Sequence, residues 1–151
     1  MILEFGRYTI DVDIEKTKAF YASNLSITTN EACSCDRCQR FPHAITSTSN
    51  TVLDFLHRLG IDPQKAGEVF GSSDEKIDHY SGWYHTVGTL LEGKVVGVSY
   101  DNSNAFSPDE NVDFQVWFED DPNRMGPIEE SFPTPVLEMS FSASLPIMKN
   151  T

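Results

Sequence analysis

The chain lacks any long apolar run. No stretch approaches the ~20 consecutive apolar residues with which a helix crosses a bilayer, so no membrane span is expected. It is also poor in positive charge: 11 Lys and Arg stand against 23 Asp and Glu, for a formal net charge of −12. Affinity for nucleic acid is built from clustered Lys and Arg, and anionic membrane surfaces recruit the same residues, so neither partner is expected. The first residues, Met1-Ile2-Leu3-Glu4-Phe5-Gly6-Arg7, have neither the basic start nor the apolar stretch of a secretory signal, which predicts a cytoplasmic protein. No phosphate-cradling glycine loop, Gly-x-Ser-x-Gly elbow, His-Glu-x-x-His helix or calcium-loop spacing occurs. Enzymatic chemistry therefore has no support outside the cysteines. These are few, three in all, and an odd number cannot pair completely in internal disulfides, which fits a reducing compartment.

All three cysteines fall in one short segment, Cys33-Ser34-Cys35-Asp36-Arg37-Cys38, with His43 five residues on. Cys-x-Cys-x-x-Cys keeps three soft ligands within ~15 Å even when extended, and three thiolates with one imidazole form a tetrahedral zinc set. Cys33, Cys35, Cys38 and His43 are thus candidate zinc ligands that would organise a loop with little apolar content of its own. A second reading is redox chemistry, with Cys35 and Cys38 cycling as dithiol and disulfide and Cys33 as a resolving thiol. The polar stretch ahead of the pair does not supply the strand that a thioredoxin arrangement needs. A [4Fe–4S] cluster fits worse, for want of a fourth cysteine. In the third reading the cysteines are small packing side chains beside Phe41, with no ion.

Residues 2–12 alternate and read as one N-terminal strand. Asp13 can cap a helix over Ile14–Ser23, and residues 36–46 suit a short helix provided that Pro42 lies in its first turn or marks a break. A helix from Ser49 or Asn50 to Leu59 carries a wide apolar face and stops at Gly60. Asp62-Pro63 reads as an N-cap with proline at the first helical position, opening a further helix to about Phe70. Residues 79–91 and 94–100 flank Glu92-Gly93 as a hairpin. Further strands are predicted at Val112–Glu119 and Pro135–Leu145. The expected fold is α+β in a single domain, 1–151: an antiparallel sheet of about four to five strands, with helices from the N-terminal half packed on one face. The helical half covers 13–70 and the β-rich half 79–145.

Tyr80, Trp83, Tyr84, His85 and Tyr100 could line a pocket with polar tips, although core packing is the plainer role for such residues. Between Asp101 and Glu138 there are ten acids and one base, Arg124. Solvation explains such a stretch, and docking of a basic protein partner is the functional alternative.

Four segments carry a resemblance: Gly6-Arg7-Tyr8-Thr9-Ile10-Asp11-Val12-Asp13, the cysteine block 33–38, Gly60-Ile61-Asp62-Pro63-Gln64-Lys65-Ala66, and the tail from Phe132 through Leu145-Pro146. In these the chain resembles a group of small, mostly bacterial proteins of uncharacterised function, and the resemblance implies no activity. The leading expectation is a non-enzymatic binding or interaction module with a cysteine-cluster zinc site. The alternatives are a thiol-dependent redox protein using Cys35 and Cys38, and a metal-free module docking through its acidic 101–138 region.

Overall fold

A computed structural model describes residues 1–23, 36–97 and 101–147. The N-terminal alternation is divided into two strands, β1 (Ile2–Phe5) and β2 (Tyr8–Val12), rather than one. Gly6, at φ +59°, turns the chain between them, with Phe5 opposite Tyr8. Glycine at the first central position of a two-residue hairpin loop meets no Cβ penalty there. The alternating pattern runs through the turn unbroken, which is why the break does not show in it.

Helix α1 (Ile14–Ser23) begins where Asp13 accepts the Lys16 N–H at 3.0 Å. Helix α2 spans Asp36–Ala44 with Pro42 inside its body, beyond the first turn and two residues before its end, whereas a first-turn proline or a break is expected. The proline removes one N–H donor from the ladder, and the helix ends two residues later, passing into a 3₁₀ turn at Ile45–Ser47. The Pro42 carbonyl accepts from Gln64 Nε2 at 2.9 Å. Helix α3 (Asn50–Arg58) is capped by Ser49, whose hydroxyl accepts the Val52 N–H.

The helix expected from Asp62 does not form. Asp62-Pro63-Gln64-Lys65 is a turn, closed by Lys65 N–H to the Asp62 carbonyl at 3.0 Å and by Gln64 N–H to Asp62 Oδ1 at 3.0 Å. Asp-Pro suits a turn as well as a cap, and Gly67 ends the segment before a helical turn can build. The chain then enters β3 (Glu68–Ser73) and, through a turn at Asp74, the 16-residue strand β4 (Ile77–Glu92).

Strand β4 is the spine of the sheet. Its first half pairs with β3 and its last residues with β2, while the opposite edge pairs along Ile77–Val87 with β6 (Val136–Pro146). Strand β5 (Phe114–Glu119) lies beyond β6. Among the described residues the sheet has six antiparallel strands, more than the four to five expected, in the order β1-β2-β4-β6-β5 with β3 beside β4. Residues 94–97 form no strand after Gly93; the end of β4 takes β2 as its partner instead, and 98–100 lie outside the described residues.

Alternation decides what each face carries. Tyr80 and Tyr84 of β4, Leu137, Met139 and Phe141 of β6, and Phe114, Val116 and Phe118 of β5 are buried in one core with Phe41, Val52, Phe55 and Leu56 of the helices. Phe41 of α2 packs on Tyr80 at 4.9 Å and on Phe141 at 5.7 Å between ring centroids. Thr17 of α1 meets Thr86 of β4, oxygen to oxygen, at 3.0 Å. No helix among the described residues is long and apolar enough to cross a membrane.

Candidate functional site

In antiparallel pairs, residues directly opposite one another stand side by side on the same face. Trp83 of β4 lies opposite Ser140 of β6, which lies opposite Trp117 of β5. The two tryptophans are thus set about 9–10 Å apart, two strand spacings, with one serine between them. One pair along, Ser81 faces Ser142, and on the other edge Phe70 of β3 lies beside Ser81. Together these residues border a groove of about 400 Å³. The exposed Phe70 and half-buried Trp83 supply most of the aromatic surface, with Trp117 buried at the border; Ser81, Ser142 and Asn102 supply polar groups above the buried Ser140.

Both indoles are held. Trp117 Nε1 donates to the Asp101 carbonyl at 3.0 Å. Trp83 is wedged between Gly67 and Gly126: a Cβ on Gly126 would stand 2.3 Å from Trp83 Cζ2, and one on Gly67 would stand 2.7 Å from Nε1. Such close approach leaves no room for a side chain. Trp83 Nε1 is itself buried without a hydrogen-bond partner among the described residues. Gly126→Ala is therefore expected to displace the Trp83 ring, shifting the tryptophan emission spectrum and lowering stability by about 1–3 kcal/mol. An unchanged spectrum and melting curve would contradict this packing.

Next to the groove lies a buried polar network that pins the loop carrying Gly126. Glu138 Oε1 accepts the Gly126 N–H at 2.8 Å and meets His85 Nε2 at 3.1 Å, and Ser140 Oγ donates to Oε2 at 3.4 Å. Glu138 and His85 are 1% and 5% exposed. Glu119 stands directly opposite Glu138, a like-charge pairing that would be destabilising if bare. Each carboxylate has its own partners. Glu119 accepts from Arg124 Nε at 3.0 Å and from the Asp120 and Asp121 N–H groups, while Arg124 also donates to the Val95 and Gly97 carbonyls. Phe132 closes over His85, with ring centroids 5.9 Å apart.

The acidic 101–138 stretch is largely occupied in local structure. Asp101, Asp109 and Asp121 each accept the N–H two residues on, from Ser103, Asn111 and Asn123. These bonds favour the charged form and hold Asp101 and Asp109 below the ordinary carboxylate value. Asp113 accepts from Ser144 Oγ at 2.5 Å.

The structure divides the residues considered as a pocket. Trp83 and His85 stand on the groove face. Tyr80 and Tyr84 point the other way, donating to the Arg37 and Pro63 carbonyls at 2.6 Å each. Tyr100 lies outside the described residues, as do Cys33 and Cys35. Cys38 is buried, its Sγ donating to the Val69 carbonyl at 3.8 Å, whereas His43 on the same helix is exposed. Among the described residues no group of three or more His, Cys, Asp or Glu side chains could hold a metal ion. Trp117, Ser140 and Phe70 went unnoticed in the sequence because only strand register joins them to Trp83.

No family model, curated protein or solved structure matches the chain.

Proposed function

We propose that this protein is a non-enzymatic binding module that takes a small ligand in the groove between Trp83 and Trp117. The observation that carries the reading is the register Trp83–Ser140–Trp117, which sets two anchored indoles over a polar floor. In this reading the helices serve as the cover of one sheet face, the one bearing Tyr80 and Tyr84, and leave the tryptophan face for recognition. The groove falls in the ~300–1,000 Å³ range of small-molecule sites and has their mixture of aromatic surface with a few polar groups. His85 and Glu138, a titratable pair on the same sheet face, are bonded to each other.

A thermal-shift screen of neutral fragments against the wild type and Ser142→Leu, which fills the groove, tests the reading. Hits are expected to raise the melting temperature of the wild type and not of the variant. Hits that stabilise both equally would place binding elsewhere and overturn it.

For the cysteines we favour the metal-free alternative. Cys38 is buried on the packed face of α2 with its Sγ 3.8 Å from the Val69 carbonyl, the setting of a packing side chain, while His43 on the same helix is exposed. The protein purified without a His-tag is expected to carry well under one zinc per chain, and Cys38 to react with thiol reagent only on unfolding. About one zinc per chain, with thiols released only by chelator, would instead support the site at Cys33, Cys35, Cys38 and His43.

A further inference from the structure

The chemistry of the groove narrows what it can take. Among the described residues no charged side chain lines it. An anionic ligand would meet no cation there and would approach a protein of net charge −12. A cationic ligand would find aromatic surface, but an ammonium leaving water needs a carboxylate or carbonyl turned towards it. By strand register the acids beside the groove are Glu68, opposite Trp83, with Glu119 and Glu138; the last two are bonded to Arg124 and His85, and the Glu68 side chain is not part of the groove lining. A neutral ligand is left.

Its polar groups must be of both kinds. The hydroxyls of Ser81 and Ser142 can each donate and accept, Ser140 Oγ already donates to Glu138 and can only accept, and the Asn102 amide offers one carbonyl and one NH₂. Groups of this type match hydroxyls, which donate and accept in turn. The flanking tryptophans ask for an apolar face, since the ring face of an indole is electronegative and attracts the positive edge of C–H bonds. A neutral ring with C–H groups across its face and hydroxyls around its rim satisfies both demands. We infer that the groove between Trp83 and Trp117 binds a neutral saccharide, with a pyranose ring against indole and its hydroxyls on the serine floor. This rests on the groove being the binding surface.

A peptide fits less well. An extended chain needs a sheet edge or a row of backbone partners, and the central strands β4 and β6 beneath the groove are paired on both edges.

The chain has two tryptophans, and both border the groove, so tryptophan emission, excited beyond the tyrosine absorption band, arises from residues of this site. The experiment titrates the full chain with cellotriose, maltotriose and N-acetylchitotriose, with a trigalacturonate as anionic control and choline as cationic control. At least one neutral trisaccharide is expected to change the emission saturably. That binding is expected to weaken about tenfold or more in Ser142→Leu and in Trp83→Phe, while trigalacturonate and choline leave the emission unchanged. Two variants are used so that one misfolded protein, recognised from its circular dichroism, does not remove the test. If neutral fragments bind the groove but no saccharide does, or if choline or trigalacturonate binds more tightly, the ligand class is overturned and the groove reading stands. If neither fragments nor saccharides bind, both fail.

Discussion

Phe141→Ala is expected to destabilise the protein by about 4 kcal/mol, within the ~3–5 kcal/mol range for buried Phe→Ala changes. Phe141 is 2% exposed and lies opposite Gly82 of β4, which has no side chain, and opposite Val116 of β5, whose short side chain is itself buried. Its ring stacks with Phe41 at 5.7 Å, with Tyr84 at 5.2 Å and with Phe114 at 5.8 Å. Those contacts tie α2 to three strands. For a chain of this length the loss amounts to a fall in melting temperature of roughly 10 °C. Phe141→Leu, which keeps much of the volume, should lose less than half as much. Denaturant midpoints for the two variants check this, and equal midpoints for Phe141→Ala and wild type would contradict the packing.

Arg40→Ala should cost about 3 kcal/mol at neutral pH, the lower end for breaking a buried ion pair, because the Arg40 side chain remains 28% exposed. Its guanidinium grips Asp78 through Nε and Nη2, each at 2.8 Å, joining α2 to β4. Asp78 is fully buried and also accepts from Ser73 and Tyr80. Burial pushes its carboxyl upward, but the Arg40 hydrogen bonds and charge, with the two hydroxyls, outweigh that and leave it below the ordinary value. A folded value below the unfolded one gives stability that is present above the unfolded carboxylate value of ~3.9 and lost as pH falls through the folded value. In Arg40→Ala the carboxylate is buried without its cation and binds a proton more readily. The difference between variant and wild type should therefore shrink as pH falls below about 4. A difference that stays constant across that range would show that Arg40 acts through packing alone.

Much of the fold was legible where its causes are local. Asp13 and Ser49 are caps followed by apolar spacing, and α1 and α3 begin at those residues. A strand is expected at Pro135–Leu145 and β6 runs Val136–Pro146, its alternation setting Leu137, Met139 and Phe141 on one face, where they are buried. The errors fall where a local signal has two outcomes or where the partner is distant. Asp62-Pro63 serves a cap and a turn equally, and the side chain accepts a nearby N–H in either case. Glu92-Gly93 reads as a hairpin, yet the partner of that end of β4 is β2, some eighty residues upstream.

The site follows the same division. Trp83 could be singled out from its own surroundings, but Trp117 and Ser140 join it only through two strand registers that no local pattern records. The acids are a local matter: Asp101, Asp109 and Asp121 each accept the backbone N–H two positions on, which an Asp in a turn can do whatever non-proline residue stands there. The cysteine cluster drew attention by composition. With α2 starting at Asp36, however, Cys38, Phe41 and Ala44 fall on one buried face, and His43 falls off it.

The most direct test of the groove is an NMR titration of uniformly ¹⁵N-labelled protein with the fragments that stabilise the wild type. The two indole N–H signals belong to Trp83 and Trp117, one in each wall. Both are expected to shift together, saturably, with the amides of Ser81, Ser140 and Ser142, while those of His43 and Asp109 stay in place. Shifts gathered around α2 or the 109–113 turn, with both indole signals unmoved, would contradict the assignment of this face as the binding surface.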